Sequence, residues 1–274
     1  MKYSAWSNDK ENLFNSSSGG IFLELAKKML SKNGKVVGVI MDGVKAKYII
    51  SNDLEEIKKM RGSKYIPSNP SQVIKEIKDS KEKILFTGLS CHIEAVKNSC
   101  DTNNMILCDL ICHGLPKDGI FEGHVEKISK GRNILSIKFR DKRAGWELGK
   151  SLIITFSNGE TYDCYDDYMK EYMGGKILRT SCKTCKKRNI GDITIGDFWG
   201  VPSSLRNNMG TSIVTVNTKK GKDFFNSINT IIKKPVRFYH IFSMDVFKNV
   251  IYHSLTKSGA FKVFKRIYYG KQRI

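Results

Sequence analysis

Arg179-Thr-Ser-Cys182-Lys-Thr-Cys185-Lys-Lys-Arg188 places two thiols two residues apart among five cations: Arg179, Lys183, Lys186, Lys187 and Arg188. Such a pair can hold a zinc ion, contribute two ligands to an iron–sulfur cluster, or cycle as a redox disulfide. Cations beside it offset the negative charge of a thiolate-ligated cluster, or lower a thiol pKa. The chain then runs through Asp192-Ile-Thr-Ile-Gly-Asp-Phe-Trp-Gly200, a short strand ending in a loop of glycine and aromatic residues.

Two further thiols are placed where chemistry can be done. Lys83-Ile-Leu-Phe-Thr-Gly-Leu-Ser-Cys91 reads as a buried strand and a tight turn, followed by a helix from His92. Ser90 is the expected N-cap, and Cys91 would lie at the helix N-terminus, where the dipole favours a thiolate. Met105-Ile-Leu-Cys-Asp-Leu-Ile-Cys112-His-Gly-Leu-Pro116 repeats the pattern, with Cys112 and His113 at a strand's end, where sheet proteins collect their functional groups. His113 is open to two readings, a ligand or base and a loop histidine bonded to backbone. Cys108 falls inside its strand and reads as packing, and Cys164 carries no assigned chemistry. Four thiols on three loops match the ligand count of a cubane cluster or a structural zinc.

The elements that must position these loops follow from periodicity. Ile21–Leu30 has apolar residues at helical spacing and is entered by the small-residue loop Asn15-Ser-Ser-Ser-Gly-Gly20, whose backbone amides suit either a phosphate or an ordinary helix start. Strands are expected at 35–40, 83–89, 105–111, 134–140, 152–156, 160–165 and 211–217. Asn158-Gly159 is the hairpin turn, both residues tolerating positive φ. Helices are expected at 54–60, 71–79 and 223–232. Arg61-Gly-Ser-Lys-Tyr-Ile-Pro67 is a turn-rich loop that serves as a ligand clamp or as a connector. From Ser243 onward the sequence reads as a basic helix with Val246, Phe247, Val250, Ile251 and Leu255 on one side. It suits a core or dimer contact, or a membrane surface.

These patterns predict an α/β to α+β fold: a mixed β-sheet with flanking helices, a small N-terminal subdomain over 1–80, a larger cysteine-bearing domain over 81–235, and a basic helical segment over 236–274. The 274 residues carry a net charge of +20. Ten of the 47 cations are arginine and the rest lysine, a balance that argues against a nucleic-acid reader, and no nucleic-acid module is recognisable. Thirteen cations against Asp223 and Asp245 over residues 219–274 make a local basic surface. Seven cysteines, no apolar run of eighteen residues and no signal-like N-terminus point to a cytoplasmic protein, with the basic C-terminal segment as a contact to the inner membrane face.

The chain resembles the coenzyme F-420 hydrogenase/dehydrogenase beta-subunit family. The resemblance runs from Ser4 to about Lys222. It is carried by Ser16-Ser-Ser-Gly-Gly-Ile-Phe22, Gly62-Ser-Lys-Tyr65, Leu85-Phe-Thr-Gly88 with Cys91, Ile111-Cys-His-Gly114, Phe139-Arg-Asp-Lys142 with Gly145-Trp146, Arg179 with Ser181-Cys182 and Cys185, and Asp192 through Gly200. It implies an FAD- and iron–sulfur-dependent oxidoreductase that moves electrons between a 4Fe–4S cluster, FAD and a hydride or electron carrier, coenzyme F-420 in the methanogen members. Cys91, Cys112, Cys182 and Cys185 would be the cluster ligands, with no side-chain acid or base needed for the difficult step. Ser17, Ser18, Gly19 and Gly20, with Gly62, Ser63, Lys64, Tyr65, Thr87 and Gly88, would lie near the flavin nucleotide. Lys183, Lys186, Lys187 and Arg188 would ease cluster reduction.

The resemblance further implies a small-molecule or sugar-linked substrate, since many bacterial members are encoded with exopolysaccharide or capsule enzymes. Two departures stand out. Leu89-Ser-Cys-His92 replaces the frequent Thr-Pro-Cys-Gln, which alters the flavin-side surroundings. The eight-cysteine ferredoxin module of larger members is not in this sequence, which implies a separate electron-transfer protein such as ferredoxin. The competing reading from another class is a zinc-stapled, non-redox accessory protein of a polysaccharide pathway.

Overall fold

The computed structural model describes residues 1–143, 145–146 and 151–237. The basic segment read as helical from Ser243 lies outside the described residues. Two neighbouring runs, β4 (Ile84–Leu89) and β5 (Met105–Leu110), are buried on both faces, which explains their nearly unbroken apolar sequences. They are the middle of an eight-stranded sheet in the order β11-β1-β10-β9-β5-β4-β2-β3. Here β1 is Lys2–Ser7, β2 Lys35–Asp42, β3 Lys45–Ser51, β9 Ile193–Asp197, β10 Ser212–Val216 and β11 Ile231–Pro235. β2, β4, β5 and β9 run parallel to one another and the outer pairings are antiparallel. The carboxyl ends of four strands therefore share one edge, the place where open α/β sheets hold their ligands. Residues from both sequence segments, 1–80 and 81–235, build this sheet.

Alternation along the strands divides two cores. Leu85, Ile106, Ile193 and Val214 pack on one face with α2 (Ile21–Leu30), α3 (Leu54–Lys59) and α9 (Lys219–Asn226). Ile84, Phe86 and Leu107 pack on the other with α4 (Ser71–Ile77) and α5 (Ser90–Ser99). A second sheet of three antiparallel strands, β6 (Ile134–Lys138), β7 (Leu152–Phe156) and β8 (Thr161–Cys164), shares a third core with α6 (Ile120–Ser129) and α7 (Asp167–Met173). That core also takes in Ala46 and Val44, so the small unit sits over the β2–β3 hairpin at the carboxyl edge. Two further short helices, α1 (Lys10–Asn15) and α8 (Thr180–Lys183), flank the loops of interest. The mixed α/β architecture agrees with the expected fold class.

Several boundaries differ from the sequence reading. α9 begins at Lys219, not Asp223, because the Thr218 side chain accepts from the Gly221 amide and caps it there. The expected helix end at 231–232 is instead the start of β11, whose Pro235 is tolerated because the strand lies at the sheet edge. In the β7–β8 hairpin only Gly159 takes a positive φ, 86°, and Asn158 does not. Phe156 N–H bonds the Glu160 carbonyl, which makes a three-residue loop with its left-handed glycine last. Among the described residues no helix is long and apolar enough to cross a membrane.

Candidate redox site at the carboxyl edge

One buried carboxylate sets the position of two thiol loops. Asp109, on β5, accepts from Ser90 Oγ at 2.8 Å and from Thr194 Oγ1 at 2.6 Å. It also accepts from the amides of Gly191 at 3.2 Å and Ile190 at 3.3 Å. The turn before Cys91 is thus tied to the segment returning from Cys185. Ser90 is not the N-cap of α5; Leu89 occupies that position and Ser90 is the first helical residue, its hydroxyl spent on Asp109. A side chain at Gly191 would place Cβ 2.6 Å from the Leu107 carbonyl, so only glycine lets this segment lie against β5.

The Cys112 and Cys182 loops are fastened to each other. Pro116 and Leu178 form an antiparallel bridge, flanked by Lys117 N–H to Ile177 carbonyl (2.9 Å) and Arg179 N–H to Leu115 carbonyl (2.8 Å). Tyr172 donates its hydroxyl to the Gly114 carbonyl at 3.0 Å, and His113 Nε2 donates to the Tyr172 carbonyl at 3.1 Å. His113 is therefore the backbone-bonded loop histidine of the two readings. Amides reach the sulfurs as well: Gly114 N–H to Cys112 Sγ at 3.2 Å and Leu115 N–H to Cys182 Sγ at 3.4 Å. Gly114 has φ 129°, and a Cβ there would stand 2.9 Å from Leu178 Cδ1 and 3.3 Å from the Cys182 Cβ. Gly114→Ala is expected to lower stability by about 1–3 kcal/mol, read as a shift in the urea midpoint. An unchanged midpoint would show that this turn relaxes freely.

The four thiols act on one another electrostatically. Burial pushes the Cys112 thiol up to about 11; the Gly114 amide opposes this, and Cys91, Cys182 and Cys185 push it further up. Cys91 is raised by burial first and then by Cys185, with its own and the His92 amide pulling the other way and Cys182 adding to the rise. The expected helix-terminus advantage at Cys91 is present in those amides, but burial and neighbouring thiols outweigh it. Cys91, Cys112 and Cys185 are exposed and Cys182 half-buried. Cys108 is fully buried in the strand core, and Cys164 lies exposed on β8. Among the described residues, no three His, Cys, Asp or Glu side chains are gathered as tightly as one metal ion requires.

The ten residues expected near a flavin fall into three places. Ser17 Oγ accepts from the Ser63 amide at 2.7 Å, which joins the Ser-Gly-Gly and Gly-Ser-Lys-Tyr loops directly. Ser18 Oγ donates to the Thr211 carbonyl at 2.8 Å and the Gly19 amide to Ser212 Oγ at 2.9 Å, so this loop lies against β10. A Cβ at Gly19 would meet the Ala5 carbonyl at 2.4 Å, and Gly20 takes φ 74° at the start of α2. Lys64 turns its ammonium onto the carbonyls of Met60, Arg61 and Gly62 at 2.8, 2.9 and 3.1 Å, closing the end of α3. Thr87 and Gly88 point to opposite faces of β4: Gly88 leaves room for the Tyr48 hydroxyl, whereas the buried Thr87 Oγ1 has no partner among the described residues.

Arg140 fastens these loops together, a role its sequence position alone did not reveal. Its guanidinium pairs with Asp197 Oδ2 at 3.0 Å and donates to the Tyr65 hydroxyl and the Ser17 carbonyl, each at 3.3 Å, and to the Trp146 carbonyl at 3.2 Å. The Trp199 ring lies 5.3 Å away and is itself stacked on Trp146 at 5.1 Å. Beside them Asp197 Oδ1 and Trp146 Nε1 are buried without partners among the described residues. Buried orphans of this kind are rare in a finished core, and Asp197 and Trp146 beside Arg140 suit a polar group received there.

Lys142 Nζ donates to the Leu13 and Ser18 carbonyls at 2.5 and 2.6 Å. Burial pulls its pKa down to about 7, Arg140 acts in the same direction, and Asp197 opposes both. The unfolded chain, with an ordinary lysine near 10.4, holds a proton over that window which the folded chain has released. Stability is therefore expected to rise with pH from about 7 towards 10. Lys64, likewise lowered to about 7 by burial, adds to the rise. Lys142→Met should flatten part of it, as read from urea midpoints across pH; an identical slope would remove Lys142 from the explanation.

A cleft of about 560 Å³ opens beside the thiols, its walls including Ile66, Pro67, His92, Asp118 and Arg179. His92 Nδ1 lies 2.8 Å from the Tyr48 hydroxyl, and burial, then Arg179, pulls the imidazole pKa down to about 4. None of the ten residues expected at the flavin lines this cleft.

A parallel sheet centre with thiol-bearing loops at its carboxyl edge places the protein among α/β proteins that carry their functional groups at that edge. Residues 2–75 match the N-terminal family model of the coenzyme F420 hydrogenase/dehydrogenase beta subunit, and residues 81–233 match its C-terminal counterpart. The chain belongs to the coenzyme F420 hydrogenase/dehydrogenase beta-subunit family, a family of oxidoreductase subunits. A chain of the F420-reducing NiFe hydrogenase complex from Methanosarcina barkeri shares its fold, with TM-score 0.65 and 19% identity over 98% of this chain and 92% of that one. No curated protein sequence matches this chain significantly.

Proposed function

We propose that the protein is an iron–sulfur flavoprotein that moves electrons between a 4Fe–4S cluster, FAD and a hydride or electron carrier. The observation that supports this reading is the tying together of the thiol loops: Asp109 joins the Cys91 turn to the segment after Cys185, and the Pro116–Leu178 bridge and the Leu115 amide fasten the Cys112 loop to Cys182. Membership in a family of oxidoreductase subunits favours a cluster over the zinc-stapled accessory reading.

When bound, a flavin exchanges electrons in pairs and a cluster exchanges them singly. The chain's own residues supply placement and charge. Amides of Gly114 and Leu115 donate to the sulfurs of Cys112 and Cys182 and favour their thiolate forms. Lys183, Lys186, Lys187 and Arg188 add positive charge beside the same sulfurs, which favours the reduced state. Arg140 holds Ser17, Tyr65 and Asp197 in one arrangement, and the orphaned atoms of Thr87, Asp197 and Trp146 offer polar contacts to the flavin. The cleft beside His92 and Arg179 has room for the carrier's reacting end. A sugar-linked substrate in surface-polysaccharide synthesis follows from the family resemblance alone.

Anaerobic purification followed by metal, acid-labile sulfide and flavin analysis tests the reading. About four irons with matching sulfide and one flavin per chain are expected. Stoichiometric zinc without a chromophore would overturn it.

A further inference from the structure

Ile111 is 58% exposed although it directly follows a buried strand and precedes Cys112. It is held in that pose. Its amide bonds the Ile195 carbonyl at 2.9 Å, and its side chain lies over Gly196, where an added Cβ would stand 2.7–2.9 Å from Ile111 Cβ, Cγ1 and Cδ1. Across the thiols, residues 183–189 are exposed without interruption. Lys183, Lys186 and Arg188 make no ion pair among the described residues, and Lys187 is anchored to Glu94 on α5. An apolar residue held more than half exposed beside two exposed thiols, with unneutralised cations alongside, is only partly used by its contact with Gly196.

We propose that the face formed by Ile111, Cys112, Cys185 and the 183–188 segment is the docking surface for a small acidic electron-transfer protein. The inference rests on the function proposed above and names where its partner binds. Electron exchange between proteins weakens steeply with separation, so a carrier must seat where the proposed ligand residues reach the surface, and Cys112 and Cys185 are exposed residues here. An apolar centre with a charged rim is the usual composition of a transient interface, and the sign of the rim selects an acidic partner and speeds encounter.

The test uses the anaerobically purified full chain and an acidic 2Fe–2S ferredoxin as probe, with Kd measured by titration at low and high ionic strength. The triple variant Lys183→Glu/Lys186→Glu/Arg188→Glu is expected to bind at least about 10-fold more weakly at low salt. The difference should vanish by about 0.5 M salt, and the variant should gain affinity for basic cytochrome c. Ile111→Ala should weaken binding at both salt concentrations. A triple variant with wild-type Kd, or a wild-type chain that binds the acidic probe no better than the basic one, overturns the proposal. Binding is read without electron transfer, so the two readings fail separately. Docking without iron or flavin would sink only the proposed function; iron and flavin with an indifferent triple variant would sink only the docking face.

Discussion

Cys182→Ser is expected to strip the protein of most of its iron and of the visible absorbance that accompanies it. A serine hydroxyl is a far poorer ligand for iron than a thiolate, and losing one of the four proposed ligands would open the proposed cluster to solvent and oxygen. Cys182 is the most protected of the four, half-buried and receiving the Leu115 amide at 3.4 Å. Iron per chain should fall from about four to below one, with the urea midpoint of the metal-free protein little changed. Cys164→Ser is the control: that thiol is exposed on β8, on the other sheet, and its loss should leave iron and flavin content at the wild-type level. Equal iron in wild type and Cys182→Ser would remove Cys182 from the ligand set.

Asp109→Ala should produce the largest loss of stability from a change that touches no thiol. The carboxylate is fully buried and takes four hydrogen bonds, from the Ser90 and Thr194 hydroxyls and the Ile190 and Gly191 amides. Alanine leaves these donors inside without an acceptor. Bonds to a charged acceptor contribute more than neutral ones, so the expected loss is about 3–5 kcal/mol in metal-free protein. That is a large share of the stability of an ordinary domain. Because Asp109 joins the Cys91 turn to the segment after Cys185, iron retention should fall as well. Ser90→Ala, which removes one donor and leaves the acid with three, should lose only about 1 kcal/mol. Matching urea midpoints for Asp109→Ala and wild type would show that the network reorganises without penalty.

Much of this architecture is visible in the sequence where burial is complete. β4 and β5 are buried on both faces, so their apolar runs announce them, and the thiols at their ends could be placed at the carboxyl edge. β1 and β11 could not be read in the same way. β1 carries Ser4 and Ser7 in buried positions, and the Ser4 hydroxyl donates to the Leu205 carbonyl, 201 residues away. β11 has the pattern Ile-Ile-Lys-Lys-Pro and owes its extended form to pairing with β1. The site shows the same division. The cysteines proposed as ligands could be picked out by type and by the loops that carry them. Arg140 and Asp197 lie in short motifs with no chemical signal of their own, and their ion pair joins residues 57 apart in sequence. Lys64 shows the converse: a cation in a glycine loop looks suited to an anion, but its ammonium is occupied by the backbone of the helix before it.

The strand order also bears on how the chain is made. β1 lies between β10 and β11, so it finds its first neighbour only after residue 216 has been made and its second only after residue 235. Before β10 is made, β2, β4 and β5 can pair from nearer stretches, while β1 waits with both edges bare. Closing so wide a loop is slow, and bare strand edges invite association between nascent chains. A chaperone that shields β1 should therefore raise the soluble yield more than one acting on the finished protein.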